Sequence, residues 1–283
     1  MDIILSIFYL YIYICILKNI LLFYNKLIVS IIKYMHSTYI FLHSILPLII
    51  GHRCIPQFAP ENSMSGIIVA KQMDLKGIEV DAMLTKDFVP IVHHDETLER
   101  CCGEIGNIFD KTYEELLKYD ISRSFYIKDI YKNERIPKLK HCIKKCNELN
   151  MILNVEIKCT KNDIMTPIII CYNIRKYGNP SNLVISSLDH ETLKIAKYML
   201  KDFERNLISE YIPDNYLNLM NNLNCTSIIL SHDKNKFDDI LELLKYKHPV
   251  FVFTVNNSLL CKKFISNGIG VFSDKPNMIA SQL

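Results

Sequence analysis

A chain of 283 residues, 49% hydrophobic and 22% charged, can bury one large core or two small ones. Its net charge is +3, from 33 basic and 30 acidic residues spread along the sequence, which leaves no nucleic-acid footprint. The ten cysteines form no CxxC pair (Cys101 and Cys102 are adjacent, Cys142 and Cys146 at helical spacing), so reduced, packed thiols are expected rather than structural zinc.

The first 45 residues differ from the rest. "IILSIFYLYIYICIL", residues 3–17, is uncharged, and Lys18, Lys26 and Lys33 then interrupt further apolar runs. The uncharged run is short for a full span, although Leu21 to Tyr24 could extend it past Lys18. Asp2 makes a poor signal-peptide start, and no small-residue cleavage site follows. The first reading is a membrane anchor, with residues 1–34 tethering an intracellular protein. The second is translation from Met35, which would leave the product cytoplasmic.

From Leu46 onward, short apolar runs alternate with amphipathic stretches. The expected order is strand 46–52, helix 62–75, strand 78–84, helix 136–149, strand 151–158 and a helix ending near Gly178. Strand 182–187, helix 189–200, strand 206–211, helix 213–223 and strand 226–231 follow. Helix 235–247, strand 250–255, helix 258–267 and strand 270–273 close the series. Eight strand-then-helix units in about 240 residues predict a parallel sheet closed as a (β/α)8 TIM barrel over 46–283, behind a hydrophobic extension at 1–45.

"VPIV", residues 89–92, breaks the alternation. It follows strand 78–84 too closely for a parallel crossover, so the two runs must form an antiparallel hairpin. A two-residue turn at Lys86 and Asp87 would set Thr85 opposite Phe88 and Glu79 opposite His94, with His93 pointing away. The polar excursion after it, about 97–135, reads as a small insertion.

Two strands carry acids on one face. Ile78, Val80, Ala82 and Leu84 alternate with Glu79 and Asp81, and Leu153, Val155 and Ile157 alternate with Asn154, Glu156 and Lys158. Central barrel strands should be apolar on both faces, and unpaired buried carboxylates are costly. The acids therefore need a shared positive centre. One divalent cation, Mg2+ or Ca2+, suits three carboxylate oxygens better than zinc does. Internal salt bridges with Arg53, Lys158 or both are the alternative.

"GHRCIPQFAPENSMSGIIVAKQMDLKGIEVDAMLTKDFVPIVHHDETLER" resembles the opening of the glycerophosphodiester phosphodiesterase family. Its marks are His-Arg, Pro-Glu-Asn, Glu-x-Asp, Leu-Thr-Lys-Asp and a His-Asp pair followed by Thr-Leu and Arg. "IPKL", "NVEIK", "VISSLDHETL", "FTVN" and "SDKP" follow in the family's order, so the resemblance covers about 48–277. It implies a TIM barrel with an insertion after the second strand. It also implies a cation on Glu79, Asp81 and Glu156, and His52 and His94 as general acid and base. Arg53 would contact the phosphate, Lys158 would sit beside it, and Glu61 would lie in or near the site. His94, which directly precedes Asp95, takes the motif's histidine position rather than His93. The chain departs from the family at Cys54, Phe88, Phe253 and Cys101-Cys102, none of them an implied ligand or acid–base residue.

The implied reaction is metal-dependent hydrolysis of a glycerophosphodiester to glycerol 3-phosphate and an alcohol. Three other readings compete with it. A relative could cleave phosphatidylglycerol or lysophospholipid head groups in the manner of a phospholipase C or D, and the apolar N-terminus favours that. A catalytically silent membrane or binding protein would not need the intact polar set. A phosphate-binding barrel of unrelated chemistry would not need the metal.

Overall fold

The computed structural model describes residues 44, 46, 48–127, 129–159 and 163–276. The proposed anchor, His36 and His43 therefore lie outside the described residues. The parallel strands are β1 (Ile49–Gly51), β2 (Gly77–Leu84), β4 (Ile152–Ile157), β5 (Leu183–Ser187), β6 (Glu204–Ser209), β7 (Ser227–Ser231), β8 (Val250–Phe253) and β9 (Gly270–Ser273). They are hydrogen-bonded in the order β1-β2-β4-β5-β6-β7-β8-β9, and β9 pairs back onto β1, so the ring is closed. Strand β3 (Pro90–Val92) lies outside the ring, antiparallel to β2.

Helices α1 (Met64–Gln72), α4 (Leu139–Glu148), α5 (Met165–Tyr177), α6 (His190–Met199), α7 (Tyr216–Leu223), α8 (Phe237–Glu242) and α9 (Ser258–Ile265) connect the strands. Side-chain caps fix several starts: Ser63 accepts from Gly66 N–H, Asp189 from Thr192 N–H and Asn257 from Leu260 N–H. The predicted helix over 235–247 is α8 followed by a 3-10 turn, Leu243–Tyr246. The insertion contains two short helical turns, α2 (Glu99–Cys102) and α3 (Tyr113–Leu116), and a 3-10 turn between them, Ile108–Asp110, over a small core that includes Leu98, Ile108 and Leu116 and is shared with Met83 of β2 and Ile91 of β3.

Alternation along the strands sorts the ring into two faces. Ile78, Val80, Ala82, Leu153, Val155 and Ile157 pack outward against the helices. Leu46, Ile50, Val184, Ile208, Ile229, Phe251 and Phe272 fill the interior as a plug. Above that plug the inward positions of β2 and β4 are polar, and there the site forms. Nine described cysteines are all free thiols.

Two expectations need correction. Strand β6 runs from Glu204, two residues earlier than the sequence predicts, because Arg205 is buried inside it and donates to the Leu200 and Phe203 carbonyls. The hairpin register is shifted by one: Ala82 faces Val92 and Leu84 faces Pro90. The turn holds three residues, not two, with Thr85 N–H donating to Val89 O and Phe88 in the left-handed region at φ 60°.

Candidate active site

The carboxyl ends of β1, β2 and β4 bring most of the expected residues together. Gly51 ends β1 where the chain must turn sharply: a Cβ there would lie 2.1 Å from the Cys54 carbonyl oxygen. Arg53 and Cys54 follow with φ of 45° and 70°, two consecutive left-handed residues without the freedom of glycine. Such conformations cost about 1–3 kcal/mol each and persist only where neighbours hold them. Glu79 does so, its carboxylate accepting the Arg53 N–H at 2.6 Å and its carbonyl the Cys54 N–H at 2.8 Å.

Glu79, Asp81 and Glu156 converge, with one carboxylate oxygen from each within 4.8 Å of the others. Asp81 and Glu156 are register partners on β2 and β4. Lys158 Nζ lies 3.2 Å from Asp81 Oδ1 and 2.6 Å from Glu156 Oε1, and Arg53 Nε lies 3.6 Å from Asp81 Oδ2. Asn62 exchanges two hydrogen bonds with Asp81, donating from Nδ2 at 2.8 Å and accepting the Asp81 N–H at 3.1 Å. The salt bridges weighed as an alternative to a cation are thus present, but two cations face three carboxylates. Glu79 is left out: its Oε1 is buried and has no hydrogen-bond partner. Burial, with Asp81 and Glu156 beside it, pushes the Glu79 carboxyl well up. Burial alone would also raise Asp81, but Lys158 and Arg53 hold it below the ordinary range. A hard divalent cation fits this set, since all three donors are carboxylate oxygens and one is buried without a partner.

Two histidines flank the acids, each oriented by an aspartate. His52 Nδ1 is 2.8 Å from Asp274 Oδ1, and Asn256 donates to Asp274 Oδ2 at 2.7 Å. Against the raising effect of burial, the His52 and Asn256 contacts keep the Asp274 carboxyl low. His94 Nδ1 is 2.5 Å from Asp95 Oδ1. Arg100 clamps Asp95 and reaches Glu61 with two hydrogen bonds of 2.6 and 2.8 Å, and Arg53 meets the same Glu61 at 3.3 Å. Burial depresses the His94 ring, which favours its neutral form near pH 7. His93 is buried elsewhere, its Nε2 3.2 Å from Thr97 O.

His94 reaches the site by a route the sequence did not show. In the observed register His93 would continue the inward face beside Asp81, and its N–H does bond Asp81 O. The ladder ends at Val92, and beyond it the chain turns so that His94 faces the cavity. One cavity of about 240 Å3 is lined by His52, Arg53, Glu79, His94, Asn154, Glu156 and Lys158, with an apolar side from Leu188, Ile208, Ile229, Phe253 and Phe272. Asn62, Asp95, Arg100, Asn256 and Asp274 were not singled out from the sequence. All five sit in quoted motifs, and adjacency to His94 was an available signal for Asp95.

A (β/α)8 barrel with two His–Asp pairs and an acidic cluster at the carboxyl mouth defines a class of barrel proteins whose polar site is assembled from β1, β2 and β4. Residues 52–278 match the model of the glycerophosphoryl diester phosphodiesterase family, and the chain belongs to that family. It is 33% identical over 155 residues to a glycerophosphodiester phosphodiesterase of Caldanaerobacter subterraneus subsp. tengcongensis, covering 54% of this chain and 62% of that one. Against glycerophosphodiester phosphodiesterase 1 of Mus musculus it is 31% identical over 109 residues, covering 38% of this chain and 33% of the other. The chain thus spans less than two thirds of either relative. Among solved structures, a phosphodiesterase of Oleispira antarctica in complex with its product sn-glycerol-3-phosphate superposes with a TM-score of 0.78 at 28% identity, covering 83% of this chain and 96% of that one.

Proposed function

We propose that this protein hydrolyses glycerophosphodiesters to glycerol 3-phosphate and a free alcohol, with Glu79, Asp81 and Glu156 holding one divalent cation, Mg2+ or Ca2+. The observation that carries the reading is the pair of aspartate-backed histidines facing one cavity that also contains Arg53, Lys158 and the acidic cluster. The relatives' names support it, as does the product bound by the Oleispira antarctica enzyme.

Arg53 and Lys158 supply the positive charge that a phosphodiester anion needs on entry. When bound, a divalent cation would add charge neutralisation at the phosphoryl oxygens. One imidazole takes the proton of the nucleophile, either water or a hydroxyl of the substrate's own glycerol. The other returns a proton to the ester oxygen as the bond between phosphorus and the departing alcohol breaks. Asp274 and Asp95 each engage Nδ1 of their histidine, which leaves Nε2 as the reactive nitrogen in both. With water as nucleophile the products balance directly.

The test uses purified full chain and glycerophosphocholine, with Mg2+, with Ca2+ and with excess chelator. Release of choline and glycerol 3-phosphate that stops with chelator is expected. Full activity in chelator would remove the metal from the mechanism, and no turnover of any glycerophosphodiester would remove the activity. We read residues 1–34 as a membrane tether, on the strength of their apolar runs.

A further inference from the structure

The mechanism uses one side of the cavity and leaves the opposite side without a role. His52 and Arg53 follow β1. Around the closed ring, β6 lies four strands from β1 in either direction, so the chain leaving β6 stands across the mouth from them. Asn206 and Ile208 are inward positions of β6, and Glu210, two residues further, continues that face beyond the strand end and lines the cavity.

Glu210 is exposed and makes no ion pair among the described residues. Among the described residues it is the one acid of the cavity lining outside the Glu79–Asp81–Glu156 cluster. Its backbone is nevertheless held firmly. Asn235 donates from Nδ2 to Glu210 O at 2.7 Å and to Ser231 O at 2.7 Å, and accepts the Ile212 N–H at 3.0 Å. Ser209 Oγ donates to Tyr211 O at 2.6 Å on the other side. A loop clamped at both flanks fixes the point from which the Glu210 side chain leaves the backbone. The same lining offers the half-buried Phe253 ring and the apolar Leu188 and Ile208 side chains.

We infer that Glu210 and Phe253 form a subsite for a positively charged alcohol moiety of the substrate, so that the enzyme prefers quaternary-ammonium or ammonium esters over neutral ones. The inference rests on the hydrolytic reading above. A diester bound with its phosphate at Arg53 and Lys158 must send one arm toward the opposite wall. Glu210 on that wall and the Phe253 ring at the end of β8, two strands around the ring from β6, line the same cavity, and a carboxylate and an aromatic face are the two groups that attract an alkylated ammonium ion. A neutral polyol would gain little from either. The acid's exposure keeps the discrimination modest, because water screens exposed charge pairs.

The experiment measures kcat/KM of the full chain for glycerophosphocholine and for glycerophosphoglycerol, in wild type and in Glu210→Gln, and titrates choline alone while the methyl signals of Leu188 and Ile208 are followed by NMR. The expected result is a choline-to-glycerol preference that falls about three- to tenfold in Glu210→Gln, with choline-dependent methyl shifts that weaken in the variant. An unchanged preference in Glu210→Gln overturns the subsite, as does the absence of any choline-dependent shift in wild type. Choline-dependent shifts that need Glu210, in a protein that turns over no diester, would support the subsite and overturn the hydrolytic reading instead.

Discussion

His94 and His93 are neighbours in sequence with opposite fates, and the difference sets the sharpest single-residue test. His94→Ala should cost on the order of a hundredfold or more in kcat with the fold intact. His93→Ala should leave the rate near wild type and cost about 1–3 kcal/mol of stability, because a buried, hydrogen-bonded ring is lost from the hairpin end. Steady-state kinetics and thermal melting of both variants decide it; a dead His93→Ala with an active His94→Ala would reverse the assignment. In the proposed mechanism Asp274 acts through His52, so Asp274→Asn should lower kcat about tenfold or more and change the pH profile while KM moves little. An unaltered pH profile would leave Asp274 a structural role alone. The eight residues expected at the site were legible because short motifs carry them, and all lie in or beside the cavity, with Asp81 and Glu61 joined to it through Arg53. Asp274, Asn62 and Asn256 were not, because their meaning is a contact between the ends of neighbouring strands that only the closed ring brings together. Asp274 lies 222 residues from His52, and nothing local in "SDKP" marks it as the histidine's partner.

Alternation of apolar and polar side chains made the strands readable, and capping residues made the helix starts readable. Turn geometry was harder. The hairpin was expected with a two-residue loop, which would let the flanking residues pair directly. Thr85 instead closes a three-residue loop: its hydroxyl donates to Asp87 and accepts the Val89 N–H, and Phe88 takes the left-handed conformation that glycine would occupy at no cost. Side-chain closure of this kind adds a residue that hydrophobic periodicity does not count. Phe88 is 60% exposed, so its ring contributes little burial in return. Phe88→Gly should remove about 1–2 kcal/mol of left-handed strain and give back about 0.5–1 through the freedom of glycine in the unfolded chain. A net gain of up to about 1 kcal/mol is expected, seen as a rise of about 2–4 °C in Tm. A lower Tm would show that the exposed ring is held by contacts worth more than the strain.

Ring closure bears on how the apolar N-terminus attaches to the rest. The eight parallel strands close on themselves, and the strand outside the ring, β3, covers the far end of β2, so the barrel needs no strand from the N-terminal segment to close. The chain reaches the barrel from the end opposite the site: Ser44 donates to Glu204, at the start of β6, and Leu46 is buried in the interior plug beside Ile50 and Phe272. A tether attached there leaves the catalytic mouth unobstructed. Among the described residues no helix is long and apolar enough to cross a membrane, and the proposed tether assigns partitioning to residues 1–34. Each CH2 they bury in lipid contributes about 0.8 kcal/mol, and their removal should release the protein from membranes. A chain starting at Met35 should move to the soluble fraction and melt within about 2 °C of the full chain, since it keeps Leu46. A chain starting at Leu48 should lose about 2–3 kcal/mol with that plug residue and melt several degrees lower. The two truncations separate tether from core. If the Met35 start stays in the membrane pellet, or already melts as low as the Leu48 start, residues 1–34 belong to the folded unit and the tether reading falls.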